Sequence, residues 1–197
     1  MAKGRKKAAG EALLAGDRKV AEAVVPYEGT LPIRALGRFA ALADQPPLRI
    51  LCGAVIAAGI ARGDARLAGA GARMLAAHAL ATWGKNFIKH RVDRTRPAAM
   101  AKPGKDHRPS PGRTSSKEDT SFPSGHSAGA AAVAAAFARD YPEHRAAAYG
   151  AAGALALAQI PRCTHYPTDV GAGIAIGVAA ETLLAGAVRL ASDRDSD

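Results

Sequence analysis

The chain has 197 residues, 49 of them alanine and 21 glycine, and carries 27 Lys and Arg against 17 Asp and Glu, a formal net charge of +10. That length supports one domain with a real core, while 4 Phe, 4 Tyr and 1 Trp are too few for a large β-sandwich or barrel. The alanine excess therefore predicts an all-α protein, and two cysteines, Cys52 and Cys163, exclude a disulfide scaffold and a four-cysteine zinc site.

Residues 1–30 read as a basic N-terminal tail, mobile or amphipathic. Lys3, Arg5, Lys6 and Lys7 resemble the start of a signal peptide, but Glu11, Asp17, Arg18, Lys19 and Glu22 interrupt the apolar stretch such a peptide needs. A helix is predicted over about 33–43, opened by Pro32 and closed by Pro46-Pro47. Further helices are predicted over about 48–61, 66–88, 124–139, 145–160 and 168–190, making 31–191 a helical domain followed by a charged tail at 192–197. Between the third and fourth predicted helices lies a polar stretch, 89–122, with Pro97, Pro103, Pro109 and Pro111 and nine cations from Lys89 to Lys117. A loop of that length inside a compact domain is usually functional or disordered.

Hydropathy leaves the membrane question open. The apolar segments 50–61, 66–88, 126–138, 146–160 and 170–191 fall short of ~18 uninterrupted apolar residues, and Arg73, His78, Glu181 and Arg189 lie within them. Small residues four apart, Gly59 with Gly63 and Gly173 with Gly177, nevertheless match the close helix contacts of bilayer proteins. The +10 charge fits nucleic acid, an anionic membrane surface or a phosphorylated small molecule.

Three clusters carry chemistry. Lys89-His90-Arg91-Val92-Asp93-Arg94-Thr95-Arg96-Pro97 ends a helix in cations, which balances the helix dipole and also offers an anion site. Phe122-Pro123-Ser124-Gly125-His126 opens a helix whose free amides and capping serine form a second anion site. In Arg162-Cys163-Thr164-His165-Tyr166-Pro167-Thr168-Asp169, Asp169 is placed one turn after His165, where it can reach an imidazole nitrogen and orient the ring. Each cluster alone also fits an ordinary capped or charge-balanced helix end. No carboxylate cluster suited to magnesium accompanies them.

Together, Lys89 with Arg96-Pro97, then Pro123-Ser124-Gly125-His126, then Arg162, His165 and Asp169, resemble the three-part motif of the type 2 phosphatidic acid phosphatase superfamily. The resemblance covers about 85–177. It implies an all-α helical bundle of multi-pass membrane helices, and phosphate hydrolysis without metal or other cofactor. On it, His165 is the nucleophile that forms a phosphohistidine, Asp169 holds its far nitrogen, and His126 protonates the leaving oxygen and then activates water. Lys89, Arg96, Ser124, Gly125 and Arg162 hold the non-bridging oxygens. The third motif departs from the pattern: the residue six before His165 is Gln159, Ala158 stands where serine is usual, and the arginine is three before the histidine. Either Arg162 or Gln159 is then the phosphate ligand.

The resemblance implies a phosphorylated lipid, of phosphatidic acid or prenyl diphosphate type, as substrate and the inner membrane as location. The alternatives are a soluble acid phosphatase in the cytoplasm, a basic binder of nucleic acid or anionic lipid, and a family member that binds without turnover. Nucleic acid is not expected as a partner, because it explains the charge but neither Pro-Ser-Gly-His nor the His165–Asp169 pair. The family usually has its active site on the outer face, whereas cations at 89–117 favour the cytoplasmic side; the family arrangement is the expectation.

Overall fold

Helices start and stop where the sequence supplies caps and breakers, and the computed structural model describes them over residues 2–194. In order they are α1 (Ala2–Val24), α2 (Leu31–Ala40), α3 (Gln45–Ala61), α4 (Ala65–Lys89), α5 (Gly125–Asp140), α6 (Arg145–Leu157) and α7 (Pro167–Arg194). Asp64 caps α4 by accepting from the Leu67 amide at 2.9 Å. Pro46 and Pro47 do not close α2. They lie in the first turn of α3, where a missing N–H costs nothing because first-turn amides have no helix partner.

Two expected tails differ from expectation. Residues 2–24 are helical, and Asp17 of that helix is buried against Arg94 and Thr168. At the other end α7 continues to Arg194, and residues 195–197 of the expected tail lie outside the described residues.

The bundle is organised around α5, which is buried at every residue from Ser127 to Ala136 and packs on α4, α6 and α7. Its alanines allow that crowding: a helix surrounded on three sides has room only for short side chains. Gly173 and Gly177 of α7 complete the contact, since a Cβ at either would strike the carbonyl of Ser124 or Ala128. Gly59 allows the same approach of α3 to α4, at Ala68. Gly63 has a different use: it takes φ +65° in the turn between those helices.

The outside of the bundle is apolar. Ile50 and Ile60 of α3, Trp83 and Phe87 of α4, and Leu183 and Leu190 of α7 are exposed. α7 is long and apolar enough to cross a membrane, and only 17% of its most apolar window is buried. The bent pair of α2, with its following turn, and α3 would count as a second span across a 50° break. Glu181 is accommodated in α7 because Arg139 at the end of α5 grips both its oxygens.

The polar 89–122 stretch is folded at one end of the bundle. A two-residue antiparallel pair, β1 (Val92–Asp93) with β2 (Ser110–Pro111), and a bridge from Arg94 to Thr120 hold it down. Its cations do not act as one patch. Lys102 and Lys105 pair with Glu118 and Asp119, and Arg94 is buried between two aspartates.

Candidate active site

One cavity of about 170 Å³ at that end of the bundle is lined by Ala43, Asp44, Gln45, Lys85, Lys89, Arg96, Gly125, His126 and His165. Five elements build it, the turn and start of α3 supplying Ala43, Asp44 and Gln45. The C-terminal turns of α4 bring Lys85 and Lys89, which are one turn apart and so share a face. Arg96 comes from the segment after β1, Gly125 and His126 from the first turn of α5, and His165 from the loop entering α7.

The three cations are the distinctive feature. Neither Lys85, Lys89 nor Arg96 has a side-chain hydrogen bond or ion pair among the described residues, and the Arg96 Nε is buried without a partner. Lys85 is 92% buried, and the place a Gly125 Cβ would take lies 3.6 Å from its Nζ. Lys89 and Arg96 are half-buried. Cations drawn out of water without an ion-pair partner are costly, and here they converge at the N-terminus of α5, whose first-turn amides have no helix partner. The arrangement can hold a polyanion such as a phosphoryl group.

His165 and His126 face each other with ring centroids 6.4 Å apart. The Nδ1 of His165 lies 2.7 Å from the Ser121 carbonyl oxygen. A carbonyl only accepts, so Nδ1 carries the proton and Nε2 keeps its lone pair in the neutral ring. Burial, reinforced by Arg96 and Lys89, pushes the His165 pKa below the ordinary imidazole value, although Asp169 opposes this. A neutral, singly protonated imidazole with a free Nε2 is the form a nucleophile requires.

Asp169 does not make the direct hydrogen bond expected of it. Its Oδ2 is 3.8 Å from His165 Nδ1 because the carboxylate is held elsewhere. Arg94 Nη1 donates to Oδ1 at 2.5 Å and the Tyr166 amide donates to Oδ2 at 2.9 Å. Asp169 therefore lies behind the His165 ring without a direct bond to it, while the Ser121 carbonyl accepts from the Nδ1–H. Arg94 in turn donates to Thr168 Oγ1 at 2.8 Å, to the His107 carbonyl at 2.7 Å and to Asp17 at 2.7 Å, and it stacks over Tyr166.

Two other expected ligands lie off the cavity. Ser124 is fully buried, caps α5 by accepting from the Ser127 amide, and receives the Ser127 hydroxyl at 2.9 Å. It shapes the helix start instead of lining the cavity. Arg162 donates to Gln159 Oε1 at 3.0 Å and lines neighbouring clefts with Glu28 and Thr164, close enough for its charge to bear on Arg96 and His126. Gln159 is committed at both ends of its amide, donating to the Leu155 carbonyl and accepting from Arg162 and Thr164. Lys85, Asp44, Ser121, Arg94 and Asp17 are the residues sequence reasoning missed. Lys85 alone carried a simple signal, being four residues before Lys89 on one helix.

A family profile described as the PAP2 superfamily matches residues 70–191, more than half of the chain. The chain belongs to the PAP2 superfamily. All three motifs, and the cavity residues from Lys85 to His165, fall inside the matched range. Curated relatives include the lipid A 1-phosphatases of Rhizobium etli and Rhizobium johnstonii, each 46% identical over 57 residues, or 29% of this chain. The match spans about a quarter of their length, 25% and 23%. Among solved structures, LpxE of Aquifex aeolicus is similar with a TM-score of 0.59 at 21% identity, covering 84% of this chain and 92% of that one. A transmembrane PAP2-type phosphatidylglycerolphosphate phosphatase from Bacillus subtilis matches with a TM-score of 0.59 at 20% identity, covering 90% and 87%. The PAP2 fold, a helical bundle, is thus common to all three chains.

Proposed function

We propose that the 31–191 domain is a metal-independent phosphatase acting on a phosphorylated membrane lipid, on the strength of one observation: three unpartnered cations and two histidines converge on one small cavity. Nε2 of His165 attacks phosphorus and forms a P–N bond. The P–O bond to the lipid breaks, and His126 gives its proton to the leaving oxygen. Water then attacks phosphorus, His126 accepts its proton, and cleavage of the P–N bond releases phosphate and restores His165. Lys85, Lys89, Arg96 and the Gly125 amide hold the non-bridging oxygens as their charge redistributes. Asp169 stabilises the ring from behind, Ser124 keeps the α5 N-terminus in place, and Arg162 adds longer-range positive charge.

A lipid substrate and a multi-pass place in the inner membrane are supported by the exposed apolar faces of α3, α4 and α7. They are supported also by an apolar groove of about 300 Å³ between α3, α5 and α6, lined by Leu48, Leu51, Val55, Val133, Phe137 and Leu155. Leu48, Leu51 and Val55 follow Asp44 at 4, 7 and 11 residues along α3, so they continue its helical stripe. The groove and the site thus share one face of α3, an arrangement suited to a substrate with a hydrocarbon tail and a phosphate head. The names of the relatives, lipid A 1-phosphatase and phosphatidylglycerolphosphate phosphatase, agree with this substrate class.

The experiment is hydrolysis of lipid phosphate esters by the membrane fraction of expressing cells, in EDTA and with or without vanadate. Phosphate release that survives EDTA and stops with vanadate is expected. Metal-dependent release, or recovery of all activity in the soluble fraction, would overturn the proposal.

A further inference from the structure

The geometry points to Asp44 as the residue that orients His126 and favours its protonated form, so that it can act as the acid, through a carboxylate–imidazole contact contributed by α3. This rests on the phosphatase reading above and adds a positioning residue to it.

The contact is short and specific. Asp44 Oδ1 lies 2.6 Å from His126 Nε2, across the interface between the start of α3 and the start of α5. The local sequence explains why that carboxylate is available. Asp44 is the N-cap of α3, a position where aspartate ordinarily accepts from the second or third helical amide. Here those residues are Pro46 and Pro47, which have no N–H, and Asp44 makes no side-chain cap bond. With its usual partners removed, the carboxylate reaches the imidazole instead.

Electrostatics give the contact its purpose. An acid must carry its proton when the leaving oxygen needs it, yet His126 is placed among positive groups. Lys85 and Lys89 of α4, Arg96 of the following segment, and Arg162 and His165 before α7 all surround the site. Burial, with His165 and Arg162, pushes the His126 pKa down to about 4, and Asp44 is the group that opposes them. Asp44 is the one carboxylate among the residues lining the cavity. With Nε2–H held by Asp44, the second proton of the imidazolium sits on Nδ1. That proton passes to the leaving oxygen, leaving a neutral ring still anchored through Nε2.

Two substrates separate this role from a structural one. Dodecyl phosphate has an alkoxide leaving group that must be protonated, whereas p-nitrophenolate departs without a proton. In single-turnover measurements Asp44→Asn is expected to slow phosphoenzyme formation from dodecyl phosphate about 10- to 100-fold, while the burst of p-nitrophenolate from p-nitrophenyl phosphate, which precedes the water step that both esters share, changes by less than about threefold. The alkaline limb of kcat/KM for dodecyl phosphate is expected to move to lower pH by about one unit, and Asp44→Glu is expected to restore most of the rate. Equal losses on both esters, an unmoved alkaline limb, or no loss at all would overturn the assignment. Wild-type protein inactive on both esters would overturn the phosphatase reading itself, a result separate from any Asp44→Asn ratio.

Discussion

Asp17 and Arg94 meet 2.7 Å apart with both side chains almost wholly buried, joining α1 to the segment between the first and second motifs. Arg94 passes this contact on. The same guanidinium holds Asp169, and Asp17 also accepts from the backbone and hydroxyl of Thr168. The residues behind His165 are thereby fastened to a helix 151 positions away in sequence. A segment read from composition as a basic tail is, in the structure, part of the support for the site.

Replacing Asp17 tests that support. Asp17→Ala leaves a buried guanidinium short of one counter-charge and Thr168 short of its acceptor. Breaking a buried ion pair typically costs about 3–5 kcal/mol, and Asp169, which still holds Arg94, places the expectation at the lower end. Unfolding midpoints in detergent should fall accordingly, with kcat reduced more than KM is raised. Unchanged stability would show that α1 is not anchored there.

The site was legible in sequence to the extent that it is built from short-range patterns. Lys89, Arg96, Gly125, His126 and His165 were all expected as site residues and all line the cavity. What escaped was contributed by elements whose approach only the bundle determines. Asp44 reaches His126 across 82 positions, and Ser121 supplies the His165 acceptor from a loop 44 residues earlier. Ser124 and Arg162 were placed on the phosphate by motif, but packing turned one towards Ser127 and paired the other with Gln159. Composition identified the helices because alanine dominates them, yet helix ends moved by a few residues where proline had two permitted roles, as at Pro46-Pro47.

The pH dependence expected of His165 as the proposed nucleophile follows from its burial. His165 loses nucleophilicity when protonated, and its pKa lies below the ordinary imidazole value, with desolvation the largest cause. Above that lowered pKa the ring is neutral and competent; as pH falls through it, kcat/KM should decline. The acid limb is therefore expected on the acidic side of about pH 6.5, the unperturbed imidazole value. An acid limb at or above neutrality would contradict the assignment. His165→Ala should abolish turnover and any acid-labile, base-stable phosphoenzyme in a rapid quench.

Helix spacing should matter as much as the charged groups. A Cβ at Gly177 would meet the Ala128 carbonyl and lie 2.8 Å from both the Ala131 Cβ and the Ala132 amide nitrogen. These are backbone or short rigid atoms, so the helices must separate. Gly177→Ala is expected to cost about 1–3 kcal/mol, the usual range for overpacking. It should also lower kcat, because α5 carries His126 and α7 follows directly from His165. Gly171, with open space around it, is the control: Gly171→Ala should leave kcat unchanged and raise stability by up to about 1 kcal/mol, the helix-propensity gain alone.

The departure in the third motif makes the last prediction. Arg96 lines the cavity with an unpartnered Nε, whereas Arg162 bonds Gln159 and stands beside the cavity. Removing a preorganised group that stabilises transition-state charge costs about 10²–10³ in kcat, and Arg96→Ala should fall in that range. A charge acting at longer range through partly hydrated surroundings is worth about 1 kcal/mol or less, so Arg162→Ala should lose about fivefold at most. Gln159→Ala frees Arg162 from its partner and leaves the Thr164 hydroxyl with one acceptor fewer. Its effect should therefore resemble that of Arg162→Ala and add little when the two are combined. A loss in Arg162→Ala as large as in Arg96→Ala would mean that Arg162 swings into the cavity when phosphate binds, restoring it to the role the motif assigns.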